Sequence, residues 1–143
     1  MCSGELLTAG WIRLLLGGNP ASAEELIEGP VEAALIRVID GDTIEVRAHL
    51  WLGLELTTRV RLSDIDAPEL DGACPGEREL AGTAREYLTV ILSPAVTLRD
   101  IRQDKYGGRV VARVLTMRGE DVGRLLVAHR LAASAGSARA WCQ

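Results

Sequence analysis

The chain has 143 residues, 48% of them apolar and 25% charged, with no Phe, two Tyr and three Trp. That is enough for one domain whose core must be built mainly from Val, Leu, Ile and Ala, and no apolar run is long enough to cross a bilayer as a helix. The formal net charge of −4 lies in residues 1–32, with five acids and one base; the rest carries 15 acids and 15 bases, so the acidic total does not exclude a polyanionic partner for the body.

The leading segment reads in two ways. Leu6 to Gly18 is apolar and Ala21-Ser22-Ala23 has the small-x-small pattern of a signal-peptidase site, yet Glu5 replaces the usual basic start and Arg13 interrupts the run. Residues 1–30 are therefore either a signal peptide or an amphipathic helical extension, and residues 31–143 form the domain. The cysteines are Cys2, Cys74 and Cys142. Loss of a leader would remove Cys2 and leave a pair that an oxidising compartment could bridge; otherwise all three are inert thiols, and their spacing fits no zinc site.

From 31 to 64 the pattern is β. Val31 to Ile39 opens it. Ile44, Val46 and Ala48 then alternate with Thr43, Glu45 and Arg47, and Leu54, Leu56, Thr58, Val60 and Leu62 alternate with Glu55, Thr57, Arg59, Arg61 and Ser63. Asp66 to Gly76 is punctuated by Pro, Gly and Asp and reads as loop. A helix follows over 76–92, with Leu80, Ala84, Tyr87, Leu88 and Ile91 as its apolar stripe and Pro75 near its start. Strands are predicted over 95–101 and 109–117 around an Asp104–Arg109 turn, then a second helix over 120–132. The order β-β-β-α-β-β-α is that of a five-stranded OB-type barrel with a helix after strand 3 and a C-terminal helix, a mostly β, α+β fold.

Three stretches carry candidate chemistry, each at a strand end or tight turn. In Asp40-Gly41-Asp42-Thr43 the ordinary reading is a hairpin turn, since Asp bonds its own turn backbone. Arg61 to Glu69 adds Asp66 and Glu69, and carboxylates gathered at one barrel end would repel unless a hard divalent cation held them through oxygen ligands. Pro68 stiffens the loop that bears Glu69, which beside a cation could act as general base toward water. Asp104 to Arg109 supplies a second arginine. Arg61 and Arg109 could grip a phosphodiester through paired hydrogen bonds and offset the charge on a five-coordinate phosphorus. Within 99–118 there are six bases and two acids, so this segment is locally basic.

In these three stretches, in this order and with these intervening elements, residues 31–142 resemble the staphylococcal-nuclease-like family of OB-fold phosphodiesterases. The resemblance implies hydrolysis of DNA or RNA, with Asp42, Asp66 and the Ala67 carbonyl as ligands of a calcium ion and Asp40 as a supporting acid. It implies Glu69 as the carboxylate that activates water, Arg61 and Arg109 as the phosphate-binding arginines, and Lys105 and Tyr106 as flanking substrate contacts. It also implies a Cys74–Cys142 bridge of the kind that recurs in a secreted bacterial branch, hence a secreted or periplasmic monomer without a membrane association in its mature form. Retention of residues 1–30 would instead imply a cytoplasmic protein. Three departures stand out. Tyr106-Gly107-Gly108-Arg109 is one residue longer than the family's usual turn, and Gly108 would absorb the excess as a bulge. Arg130 stands where relatives often have Gly. The tail lacks a tyrosine that many relatives place before its end. The alternative from another class is a non-catalytic OB module that binds nucleic acid or protein. Such modules commonly lose a metal ligand or an arginine, and single-strand binders need exposed aromatics, for which only Tyr106, Trp51 and Trp141 are available.

Overall fold

Strict alternation makes the sheet. The computed structural model describes residues 24–137 and 139–142; the reading of the leading segment falls largely on residues 1–23, outside the described residues. The elements are β1 (Leu26–Ile27), β2 (Val31–Asp40), β3 (Thr43–Trp51), β4 (Leu54–Leu62), β5 (Ile65–Asp66), α1 (Pro75–Leu92), β6 (Ala95–Gln103), β7 (Arg109–Leu115), α2 (Val122–Ala128) and β8 (Ala133–Ser134). β2, β3, β4, β7 and β6 pair in that order and β6 returns to β2, which closes a five-stranded barrel. All these pairings are antiparallel except β4 with β7, which is parallel. This is the expected OB-type α+β fold.

The inward teeth are the ones the alternation named: Ile44, Val46, Val60 and Leu62 are all at most 1% exposed. Each such side chain contributes roughly 1.5–3 kcal/mol through burial. β4 departs from its own pattern at one end. Leu54 and Leu56 alternate like core residues yet are exposed, as are Trp51 and Leu52, because the β3–β4 hairpin runs beyond the barrel rim. α1 begins at Pro75, with Cys74 as its N-cap, and closes one end of the barrel with Ala81, Ala84, Leu88 and Leu92 buried; Leu80, Tyr87 and Ile91 pack at the edge.

β1, β5 and β8 are two-residue strands with no periodicity to show them. β1 pairs with Ile101 and Arg102 of β6. β5 pairs with β8, so that Asp66 lies opposite Ala133. α2 is shorter than its apolar pattern, because the backbone turns left-handed at Arg130 (φ 58°). There the Arg130 amide donates to Val127 O and the Leu131 amide to Leu126 O, closing the helix end. His129 thus caps the helix and sets its ring against that of Tyr87, tilted by 53° with centroids 5.1 Å apart, instead of continuing the helical face.

A left-handed arginine carries a backbone cost that glycine lacks. Arg130→Gly is expected to raise stability by about 1 kcal/mol in urea denaturation; a loss of stability would show that the Arg130 side chain contributes more than its backbone costs.

Candidate active site

Thr43 and Arg61 are cross-strand partners in the β3–β4 ladder, so Arg61 emerges on the outer face beside the turn that precedes β3. From there one Arg61 Nη lies 3.6 Å from Asp42 Oδ2 and 3.2 Å from Asp66 Oδ1. The same guanidinium donates to the carbonyls of Leu62 (3.1 Å) and Ile65 (3.3 Å). Asp42 is aimed by its neighbours: its Oδ1 accepts from the Thr43 hydroxyl (2.9 Å) and its carbonyl accepts from the Leu62 amide (2.8 Å). Asp40 Oδ1 accepts from the Asp42 amide at 3.2 Å, the self-bonded Asp turn expected of this sequence.

Gly41 is where the turn meets the loop and α1. A Cβ built there would lie 3.0 Å from Ala67 Cβ and 3.2 Å from Ala84 Cβ, with the Pro68 carbonyl oxygen at 3.8 Å. The Asp40–Asp42 turn is therefore wedged against the start of the loop that carries Glu69 and against α1. Glu69 itself is exposed. Its loop is held from α1, where Glu77 accepts from the amides of Glu69 (3.3 Å) and Ala73 (3.0 Å). Ala67 is buried beside Gly41.

The carboxylates respond to this crowding. Burial, then the hydrogen bond and negative charge of Asp42, push Asp40 from 3.8 up to about 6. Asp42 and Asp66 converge on one guanidinium, with Asp40, whose ionisation is resisted, beside Asp42; carboxylate oxygens are the donor type that hard divalent cations take. Asp40, Asp42 and Asp66 do not close into a set with every oxygen in mutual reach, since Arg61 stands between Asp42 and Asp66. Another cluster, Cys74, Glu77 and Cys142, does close, but its sulfurs are joined in a disulfide (Cα–Cα 5.9 Å) and cannot act as thiolate ligands.

Arg109 stands apart from this cluster but on the same face. The parallel β4–β7 register pairs Arg59 with Arg109 and Arg61 with Val111, so Arg61 and Arg109 lie two residues apart along one outer surface. The Arg109 Nε–H donates to Asp104 Oδ2. Burial opposes ionisation of Asp104, but the hydrogen bond and charge of Arg109 and the amides of Lys105 and Tyr106 outweigh it and hold the carboxyl below its ordinary value. Arg109 and Lys105 both lie over the Tyr106 ring, at 5.2 and 5.1 Å. Gly108, at φ 78° in open space, takes up the additional turn residue. A cavity of about 290 Å³ touches Arg109, Thr58 and Arg102 but none of Asp40, Asp42, Asp66 and Glu69.

The model of the staphylococcal nuclease homologue family matches residues 59–140, from β4 through the tail. The chain belongs to that family. The matched span contains Arg61, Asp66, Glu69 and Arg109, while Asp40 and Asp42 precede it. The nuclease-homologue chain is 35% identical over 117 residues to Endonuclease YhcR of Bacillus subtilis (strain 168), covering 76% of this chain and 9% of that protein. It is 28% identical over 98 residues to an uncharacterized endonuclease of Escherichia coli, covering 68% of this chain and 56% of that protein. The chain thus spans only part of the length of either curated relative.

Two positioning residues were given no role in the sequence reading: Asp104, which heads the Asp104–Arg109 turn, holds Arg109, and Glu77, in the first turn of α1, holds the Glu69 loop. Arg139 also reaches the site, with its Nη 3.1 Å from Asp66 Oδ2.

Gly41→Ala is expected to cost about 1–3 kcal/mol, because neither Ala67 nor Ala84 has a flexible end to give way; unchanged urea stability would show that the turn is not wedged. For Asp40, a raised folded pKa means that the folded chain holds this proton more tightly than the unfolded chain. Its contribution to stability is therefore present at low pH and lost as pH rises from about 4 through about 6. In metal-free protein Asp40→Asn is expected to remove that slope and to raise stability at neutral pH by about 1–2 kcal/mol after allowance for solvent screening. Urea denaturation across this range checks it, and an unchanged slope would contradict it.

Proposed function

We propose that this chain is a calcium-dependent nuclease that hydrolyses phosphodiester bonds of DNA, RNA or both. The observation that carries the reading is the convergence of Asp42 and Asp66 on Arg61, beside a turn packed on the Glu69 loop. Family membership and two relatives that bear the name endonuclease support it. Asp42, Asp66 and the Ala67 carbonyl would hold the cation, with Asp40 behind them. When bound, a divalent cation supplies Lewis-acid polarisation of a phosphate oxygen and lowers the pKa of a nearby water.

The chain's own residues do the rest. Arg61 and Arg109 donate to the phosphate from one face of adjacent strands and stabilise the negative charge that grows on the five-coordinate phosphorus. Glu69, on its stiffened loop, accepts the proton of the attacking water. Asp104 and Tyr106 orient Arg109, and Lys105 and Tyr106 contact the flanking nucleotide. The binding-only alternative is less well supported, since no metal-ligand or arginine position of the motif has been lost. The Cys74–Cys142 bridge supports an oxidising, secreted or periplasmic setting.

Purified protein is expected to degrade DNA or RNA with calcium and to lose that activity in EDTA. Glu69→Ala is expected to lower the rate by about 10²–10⁴-fold with little change in calcium affinity. Equal activity in calcium and EDTA, or an undiminished Glu69→Ala variant, would contradict the proposal.

A further inference from the structure

Arg139 comes to the site from the far end of the chain. Its Nη donates to Asp66 Oδ2 at 3.1 Å, while Arg61 donates to Oδ1 of the same carboxylate at 3.2 Å. Two attachments deliver it. The Cys74–Cys142 bridge ties the tail to the start of α1, and a Cβ at Gly76 would lie 3.3 Å from the Trp141 carbonyl oxygen, so tail and helix are in close contact. Trp141 lies beneath the guanidinium, 6.0 Å from it. The Arg139 side chain is 57% exposed, so the pair contributes little to stability, and most of its five N–H donors are directed at solvent.

Charge decides what such a group does. Asp42 and Asp66 carry two negative charges, and Arg61 and Arg139 carry two positive charges, so the four side chains are balanced. A divalent cation on the two carboxylates would neutralise them and leave both guanidiniums uncompensated, beside a surface meant for a phosphodiester. A guanidinium matches phosphate as well as it matches carboxylate.

We propose that Arg139 is a third phosphate-binding residue of the site, parked on Asp66 until a cation takes that carboxylate and kept within reach by the Cys74–Cys142 bridge. This rests on the nuclease reading above. Cation and phosphate binding then reinforce one another, because each displaces Arg139 toward the same arrangement.

Calorimetry on the full chain separates the steps, with calcium alone as one titrant and a hydrolysis-resistant phosphorothioate dinucleotide in saturating calcium as the other. Arg139→Ala is expected to bind calcium alone several-fold more tightly, having lost a competitor for Asp66, and to bind the dinucleotide about tenfold more weakly. Cys142→Ser, checked for its fold by circular dichroism, is expected to give both changes with Arg139 still in the chain. If Arg139→Ala leaves both affinities unchanged while Arg61→Ala weakens the dinucleotide, Arg139 is an ordinary surface pair and the inference is overturned with the nuclease reading intact. Tighter binding of both titrants by Arg139→Ala would also overturn it. Failure of the wild-type chain to bind the dinucleotide would overturn the nuclease reading and this inference with it.

Discussion

One guanidinium facing two carboxylates organises this molecule's functional end. Arg61 reaches Asp42 across the β3–β4 ladder and Asp66 across the bend that follows β4, and it also donates to the carbonyls of Leu62 and Ile65. Each partner is only 18–26% exposed, so the group is a half-buried balance of charge, in which loss of Arg61 would leave Asp42 without its ion pair and Asp66 with Arg139 alone. The barrel register sets this geometry. With Thr43 opposite Arg61, a slip of one residue would send Arg61 into the core and Leu62 into solvent.

The rest of the fold converts that local balance into a surface. The Asp40–Asp42 turn is pressed on Ala67 and Ala84, which fixes the Glu69 loop to the turn and both to α1. The parallel β4–β7 pairing then lays Arg109 on the same outer face, with Asp104 and Tyr106 holding its side chain. From the other end of the chain, β8 pairs with β5, and a disulfide to the N-cap of α1 brings the tail back to Asp66. Residues far apart in sequence thus meet at one barrel end, with the strongly packed core directly beneath.

Much of this was legible in the chain because it is local. The alternation over 43–48 and 58–62 gave the inward face, Asp-Gly-Asp gave the turn, and the Arg61–Asp66–Glu69 spacing put three charged groups around one strand end. What was not legible depends on distant partners. β5 exists only because Ala133 lies opposite Asp66, and Arg139 meets Asp66 from a tail tied down by a bridge that spans 68 residues. Leu54 and Leu56 obey strand periodicity perfectly, and only the position of the barrel rim leaves them outside. The second helix stops early because its apolar pattern says nothing about the left-handed turn at Arg130.

The claim on which the account stands is that Asp42 and Asp66 form a cation site which Arg61 balances from within. Calcium titration by calorimetry, on wild-type protein beside Asp66→Asn, tests it most directly. One calcium bound per chain, with affinity lost in the variant while its circular dichroism is unchanged, is the predicted result. Equal calcium binding by both proteins, or none by the wild type, would contradict the account.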